Sequence, residues 1–187
     1  MRGFMAMTIS MGIGLVAIVS GCGTANTAST VVTAPGTETV DCTIRGENVD
    51  VHNCDFSGAD LSFFSFAFAN LAGANLSGAN LTETNLTAAN LTGATLTGAN
   101  MSTINLDRAN LTAATVARAN LDHANLFSAN LTHADLEGAN LSGANLKSAN
   151  LTEANLMNAV LTEANSPNTV WSNTNCPNGV KQSTPCV

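Results

Sequence analysis

Residues 74–100 read ANLSGANLTETNLTAANLTGATLTGAN, with an apolar residue at every fifth position. A helix turns about 100° per residue, so side chains five apart spiral around every side of it. A flat strand alternates faces at every residue, so the same side chains would fall on opposite faces in turn. Neither element alone can bury this pattern.

The period runs in unbroken phase from Val49 to Glu163, which is 23 units of five. With each unit numbered 1 to 5, position 1 is Ala in 18 units, position 2 is Asn or Asp in 19, and position 3 is Leu in 18. Positions 1 and 3 lie two apart and face the same way on a short strand, with the polar position 2 pointing opposite. The remaining residues of each unit must redirect the chain. If each unit turns about 90°, four close a square and the fifth stacks on the first, which is a solenoid with a 20-residue coil. The exceptions support that coil length. Phe64, Thr84 and Ile104 replace Ala at intervals of twenty, and Thr95 and Thr115, also twenty apart, replace Asn at position 2. Each set is expected to form one vertical column with a step of about 4.8 Å.

In tandem, A-[ND]-L-x-x resembles the pentapeptide-repeat family. The resemblance implies an all-β protein, a right-handed quadrilateral β-helix of about 23 repeats in just under six coils. It places Leu at the centre of each face (Leu71, Leu91, Leu111, Leu131 and Leu151 in one column) and Ala in the inner corners. Both ends of such a core need plugs. Val49, Val51, Cys54, Phe56, Phe64 and Phe66 are bulkier than the consensus at the start. At the finish Ser166-Pro167 interrupts the pattern, yet Trp171 and Cys176 keep the phase of position 3, which predicts Trp171 as a lid over Leu151. The tail WSNTNCPNG, 171–179, resembles the C-terminal segment of exported members of this family.

Upstream, Arg2 and the apolar run from Phe4 to Val19 have the layout of a secretory leader, and the run is short for a membrane span. It ends in V-S-G-C, which resembles the bacterial lipobox and implies a diacylglyceryl group on Cys22. The expected division is a leader at 1–21 and a lipidated Cys22 with a Thr/Ala/Gly tether at 22–41. The repeat β-helix with its N-terminal cap follows at 42–163, and a C-terminal cap at 164–187. Four other cysteines permit three pairings. Cys42–Cys54 and Cys176–Cys186 are favoured because each pair is local and flanks one end of the tract. Export to the cell envelope or beyond suits disulfides.

Six Lys/Arg against 13 Asp/Glu give a net charge of −7, or −8 once Arg2 leaves with the leader. No basic stripe exists to neutralise phosphates, which disfavours a nucleic-acid ligand. The sequence offers no catalytic constellation, cofactor motif or metal spacing. His123 and His133 stand ten apart, on opposite faces of the square, and cannot share a metal. Phe63, Phe68 and Phe127 occupy outward positions, and exposed aromatics can mark a partner site. Folding of the N-terminal cap over Phe63 and Phe68 is the expectation slightly preferred.

The leading functional expectation is a non-enzymatic, lipid-anchored scaffold or interaction protein, held to a membrane through Cys22 and meeting an unidentified protein partner. A monomer is favoured over an end-to-end dimer, since the Trp171 cap would cover the last coil. The alternative comes from the quinolone-resistance members of the family, acidic rods that imitate DNA and bind gyrase; residues 49–163 carry −7, the right sign. A minor alternative is ordered-water or ice binding through the outward ladder Thr92, Thr112, Thr132 and Thr152.

Overall fold

The structure, a computed structural model, describes residues 40–186. The leader, Cys22 and nearly all of the tether lie outside the described residues. Each unit is a short extended stretch over positions 1 to 3, closed by a tight turn. The N–H of position 1 reaches back to the carbonyl of the preceding position 3, as in Ala74 to Leu71 at 3.0 Å. Position 5 carries a positive φ, 54° at Thr103 and 62° at Phe63. A four-residue hydrogen bond with positive φ at the third residue alone is the signature of a type II turn.

The turns stack the units in a square. Parallel pairing links each position 2 to the residue twenty further on, from Asp50 with Asn70 to Asn155 with Asn175. Between coils, Leu91 N–H donates to Asn110 O at 2.7 Å, and Asn110 N–H donates back to Ala89 O at 2.9 Å. Every coil thereby satisfies the backbone of its neighbours, which is why no single unit could fold alone. The altered corner forms one column, because Asn85 N–H bonds Phe64 O and Asn105 N–H bonds Thr84 O. Thr95 also pairs with Thr115.

Inside run Leu and Ala. Leu71, Leu91, Leu111, Leu131 and Leu151 are all buried, each such side chain adding roughly 1.5–3 kcal/mol of apolar burial. Thr84 is also buried, and its hydroxyl donates to Leu61 O at 2.8 Å, so the polar atom is satisfied. Outside runs an asparagine ladder. In most rungs the side-chain amide donates to the coil below, as in Asn90 Nδ2 to Asn70 Oδ1 at 3.1 Å, while Oδ1 accepts the N–H two residues on.

The solenoid continues past the boundary read at Glu163. Pro167 falls at position 4, whose N–H serves no coil-to-coil bond and whose place in the turn favours proline. Its carbonyl still accepts Ser148 N–H at 3.0 Å. The chain then closes with a small antiparallel pair, β1 (Thr174–Asn175) and β2 (Lys181–Gln182).

Candidate interaction site at the ends of the rod

At the N-terminal end, the segment 40–48 folds under the first coil. Its Arg45 guanidinium lies 4.4 Å from the Phe56 ring centroid and donates to the carbonyls of Cys42 and Ile44. Burial pushes the Arg45 pKa down, with Asp41 opposing. Cys42 and Cys54 are disulfide-bonded, tying this cap to the first coil. Val51, Cys54, Phe56 and Phe66 are buried, as a plug requires.

Phe64 is not part of that plug. It is 39% exposed, whereas Thr84 and Ile104 in the same corner column are buried; its ring leans on Phe66 at 6.4 Å between centroids. Phe63 and Phe68 are more exposed still, at 72% and 61%. The described part of the cap therefore leaves them open, contrary to the expectation that it covers them. Both sit at the positive-φ position of the turn, with φ of 62° and 60°. A left-handed conformation disfavours an aromatic L-residue by roughly 1–2 kcal/mol, so neither packing nor backbone preference accounts for phenylalanine there. Phe127 does not join them. It lies three coils further along the same face as Phe68, roughly 14 Å away, with Lys147 Nζ 6.0 Å from its ring centroid.

The same end carries Asp50, Asp55 and Asp60 on three successive faces. Each is the lowest rung of its ladder, accepting an amide proton from Asn70, Asn75 or Asn80 at 2.9 to 3.0 Å. All three carboxyls are held below the usual carboxylate range. At Asp50 burial acts upward, but bonds from His52 and Asn70 outweigh it. The Ser57 backbone N–H is the main cause at Asp55, and the Ser62 hydroxyl at Asp60.

At the C-terminal end, Trp171 is 4% exposed and one coil above Leu151, whose N–H bonds Val170 O. Cys176 bonds Cys186, strapping the tail across this end. The cap covers only part of the last coil. A cleft of about 500 Å³ remains, lined by Leu161, Ala164, Trp171, Pro177 and Pro185 among others. Trp171 Nε1–H finds no acceptor among the described residues. Trp171 is foreseeable from its phase in the repeat, but this cleft is not, since it depends on where the tail crosses.

Along the sides, the threonine ladder is committed internally. The hydroxyls of Thr92, Thr112, Thr132 and Thr152 each donate to the Asn two residues earlier, at 2.6 to 2.7 Å. Thr92 and Thr112 also accept from Asn110 and Asn130. That leaves these hydroxyls no proton for an ordered-water lattice. His133 pairs with Glu153 at 3.3 Å, and His123 lies by Asp122 on the opposite face. No group of metal-ligating side chains occurs among the described residues.

The profile of the pentapeptide-repeat family, described as "Pentapeptide repeats", matches eight copies over residues 65–102, 104–143 and 139–165. Among solved structures the chain is similar to HetL, a pentapeptide repeat protein involved in heterocyst differentiation regulation from the cyanobacterium Nostoc sp. strain PCC 7120. Identity is 26%, covering 73% of this chain and 90% of that one, with a TM-score of 0.26. It is similar to full-length QnrB1, a plasmid-mediated fluoroquinolone resistance protein, at 22% identity over 70% and 87% of the two chains, with a TM-score of 0.26. A pentapeptide repeat protein of the Arabidopsis thaliana thylakoid lumen matches at 28% identity over 60% and 67%, with a TM-score of 0.28. No curated protein matches the chain.

Proposed function

Since the chain belongs to the pentapeptide-repeat family, we propose that it is a non-enzymatic, extracytoplasmic scaffold, tethered to a membrane by lipid on Cys22 and presenting its ends to a protein partner. Its fold is the right-handed quadrilateral β-helix of that family, whose members are in general structural or binding proteins rather than enzymes. The observation that carries the reading is the pair of disulfides, one tying down each end of the rod, in a chain whose leader-like segment ends in V-S-G-C. Disulfides persist where the compartment is oxidising.

The gyrase-binding alternative draws on the −7 of residues 49–163. Four of the acids there have a different use, since Asp50, Asp55, Asp60 and Asp135 accept ladder bonds. Of the other six, Glu83, Asp122 and Glu163 share one face at every second coil and Asp107, Glu137 and Glu153 lie one on each of the others; that spacing is sparser than a phosphate backbone, so the scaffold reading is preferred. Crosslinking and pull-down from intact cells, with the lipid anchor preserved, tests it and identifies the partner. Globomycin-sensitive maturation and an oxidised protein in the envelope fraction are expected. Cytoplasmic protein with free thiols would overturn the reading.

A further inference from the structure

We propose that the N-terminal end of the rod is a membrane-contacting foot, in which Phe63, Phe64 and Phe68 enter the lipid–water interface and stand the solenoid upright on the bilayer. The proposal rests on the lipid-anchor reading of Cys22 and adds an orientation to it. Its basis is the cluster itself. Phe63 and Phe64 lie at one corner of the first coil and Phe68 at the next corner, one face along, and the three are 39% to 72% exposed. Two of them hold left-handed backbone positions that elsewhere in the solenoid are filled by Gly, Ala or polar residues and by no other large apolar side chain. Side chains placed against both exposure and backbone preference call for a partner that rewards apolar surface.

The partner is identified by where the chain leads. The described residues begin at Val40, beneath this same coil, and Cys22 stands eighteen residues upstream. On the tether reading, a flexible Thr/Ala/Gly chain of that length would span roughly 20–25 Å root-mean-square. Lipid on Cys22 would therefore hold this end close to the bilayer at high effective concentration, where a weak contact suffices. Phenylalanine suits such a boundary because its ring is apolar and has few rotamers. Asp50, Asp55 and Asp60 share the end, so attraction to anionic lipid is not the driving force; apolar contact is. Neutral lipid is accordingly the proper probe. At the opposite end the exposed large apolar residues among those described are the aliphatic Met157, Val160, Val170 and Val180.

The single tryptophan provides an internal reference. Trp171 lies more than five coil steps from Phe63, roughly 26 Å away. The test uses the full-length lipidated protein, reconstituted in phosphatidylcholine vesicles containing dibrominated chains that quench tryptophan on contact. In the unsubstituted protein, Trp171 emission should be unchanged. In Phe63→Trp, or in Phe68→Trp if the first variant misfolds, most of the added emission should be lost. Quenching of Trp171 to the same extent means a rod lying flat and overturns the proposal. Unquenched tryptophan at 63 and 68 overturns it as well, whether residues 23–39 cover the site or a protein does; crosslinking from position 63 in cells tells these two apart. Mass spectrometry of the Cys22 peptide reports the anchor separately. Missing lipid there defeats the anchor reading, whereas a lipidated protein with an unquenched foot defeats this proposal alone.

Discussion

Truncating a leucine in mid-column shows how this core differs from that of a globular domain. Leu111 is buried, stacked between Leu91 and Leu131 of the neighbouring coils. Leu111→Ala removes three carbons, a transfer loss of about 2.4 kcal/mol at roughly 0.8 kcal/mol each. Whether the cavity closes decides the rest. Here the coils are held apart by their ladders, with Leu111 N–H on Asn130 O at 2.7 Å and Asn110 N–H on Ala89 O at 2.9 Å. The column cannot shorten without breaking those bonds, and alanine corners cannot reach inward. The loss should fall in the upper part of the range for buried leucine, about 4–5 kcal/mol. Leu161 makes the control. It faces the C-terminal cleft and is only half-buried, so Leu161→Ala should cost about 1–2 kcal/mol. Urea unfolding of the oxidised proteins at 25 °C, followed by circular dichroism, measures both. Equal losses, or a loss at Leu111 below about 2 kcal/mol, would show that coils close on a void and that the rigid-ladder reasoning is wrong.

Breaking Cys176–Cys186, which closes a ten-residue step, should remove about 3 kcal/mol on the loop-entropy model and lower the melting temperature under reductant; an unchanged melt counts against a stabilising strap. The depressed carboxyls at Asp50, Asp55 and Asp60 stabilise the fold above their unfolded pKa near 3.9. That contribution disappears as pH falls through their lower folded values. Melting temperature should therefore drop on acidification below about pH 4, and changing all three to Asn should flatten the profile; an identical slope in the variant refutes their role. Gly143 has φ of 62°, and a Cβ there would meet the His123 imidazole. Gly143→Ala should destabilise by about 1 kcal/mol or somewhat more. Adding His123→Ala should restore only the steric part, leaving the left-handed backbone cost that Gly98→Ala also shows; full rescue in thermal melts would mean the backbone term is absent.

Much of the molecule was legible from period alone. A five-residue pattern with apolar positions 1 and 3 admits few ways to bury its leucines, and exceptions spaced by twenty set the coil. The four cysteines beyond Cys22 lie in two local pairs, and those are the bonded pairs. The solenoid runs past Glu163 because Pro167, which in sequence reads as a breaker, occupies the turn position that favours proline. Phe64 stands outside the plug because a place in the pattern does not fix which way a bulky side chain turns.

The repeat, the square coil, the dry Leu/Ala column and the polar exterior are all written in the order of residues, since they follow from side chains five apart. The departures acquire their meaning in the folded rod, because their neighbours are twenty residues away. In the consensus Asn and Asp look interchangeable at position 2. In the folded rod the amides that bond between coils donate toward the N-terminal end, so a rung needs an amide only if an acceptor side chain lies below it. Aspartate stands where no such bond is made: at Asp50, Asp55 and Asp60 on the first coil, and at Asp135, above Thr115, where the ladder restarts. The exposure of Phe63 and Phe68 was settled in the same way, by how far the cap reaches across the first coil. That is a property of packing between distant segments, which no local pattern encodes.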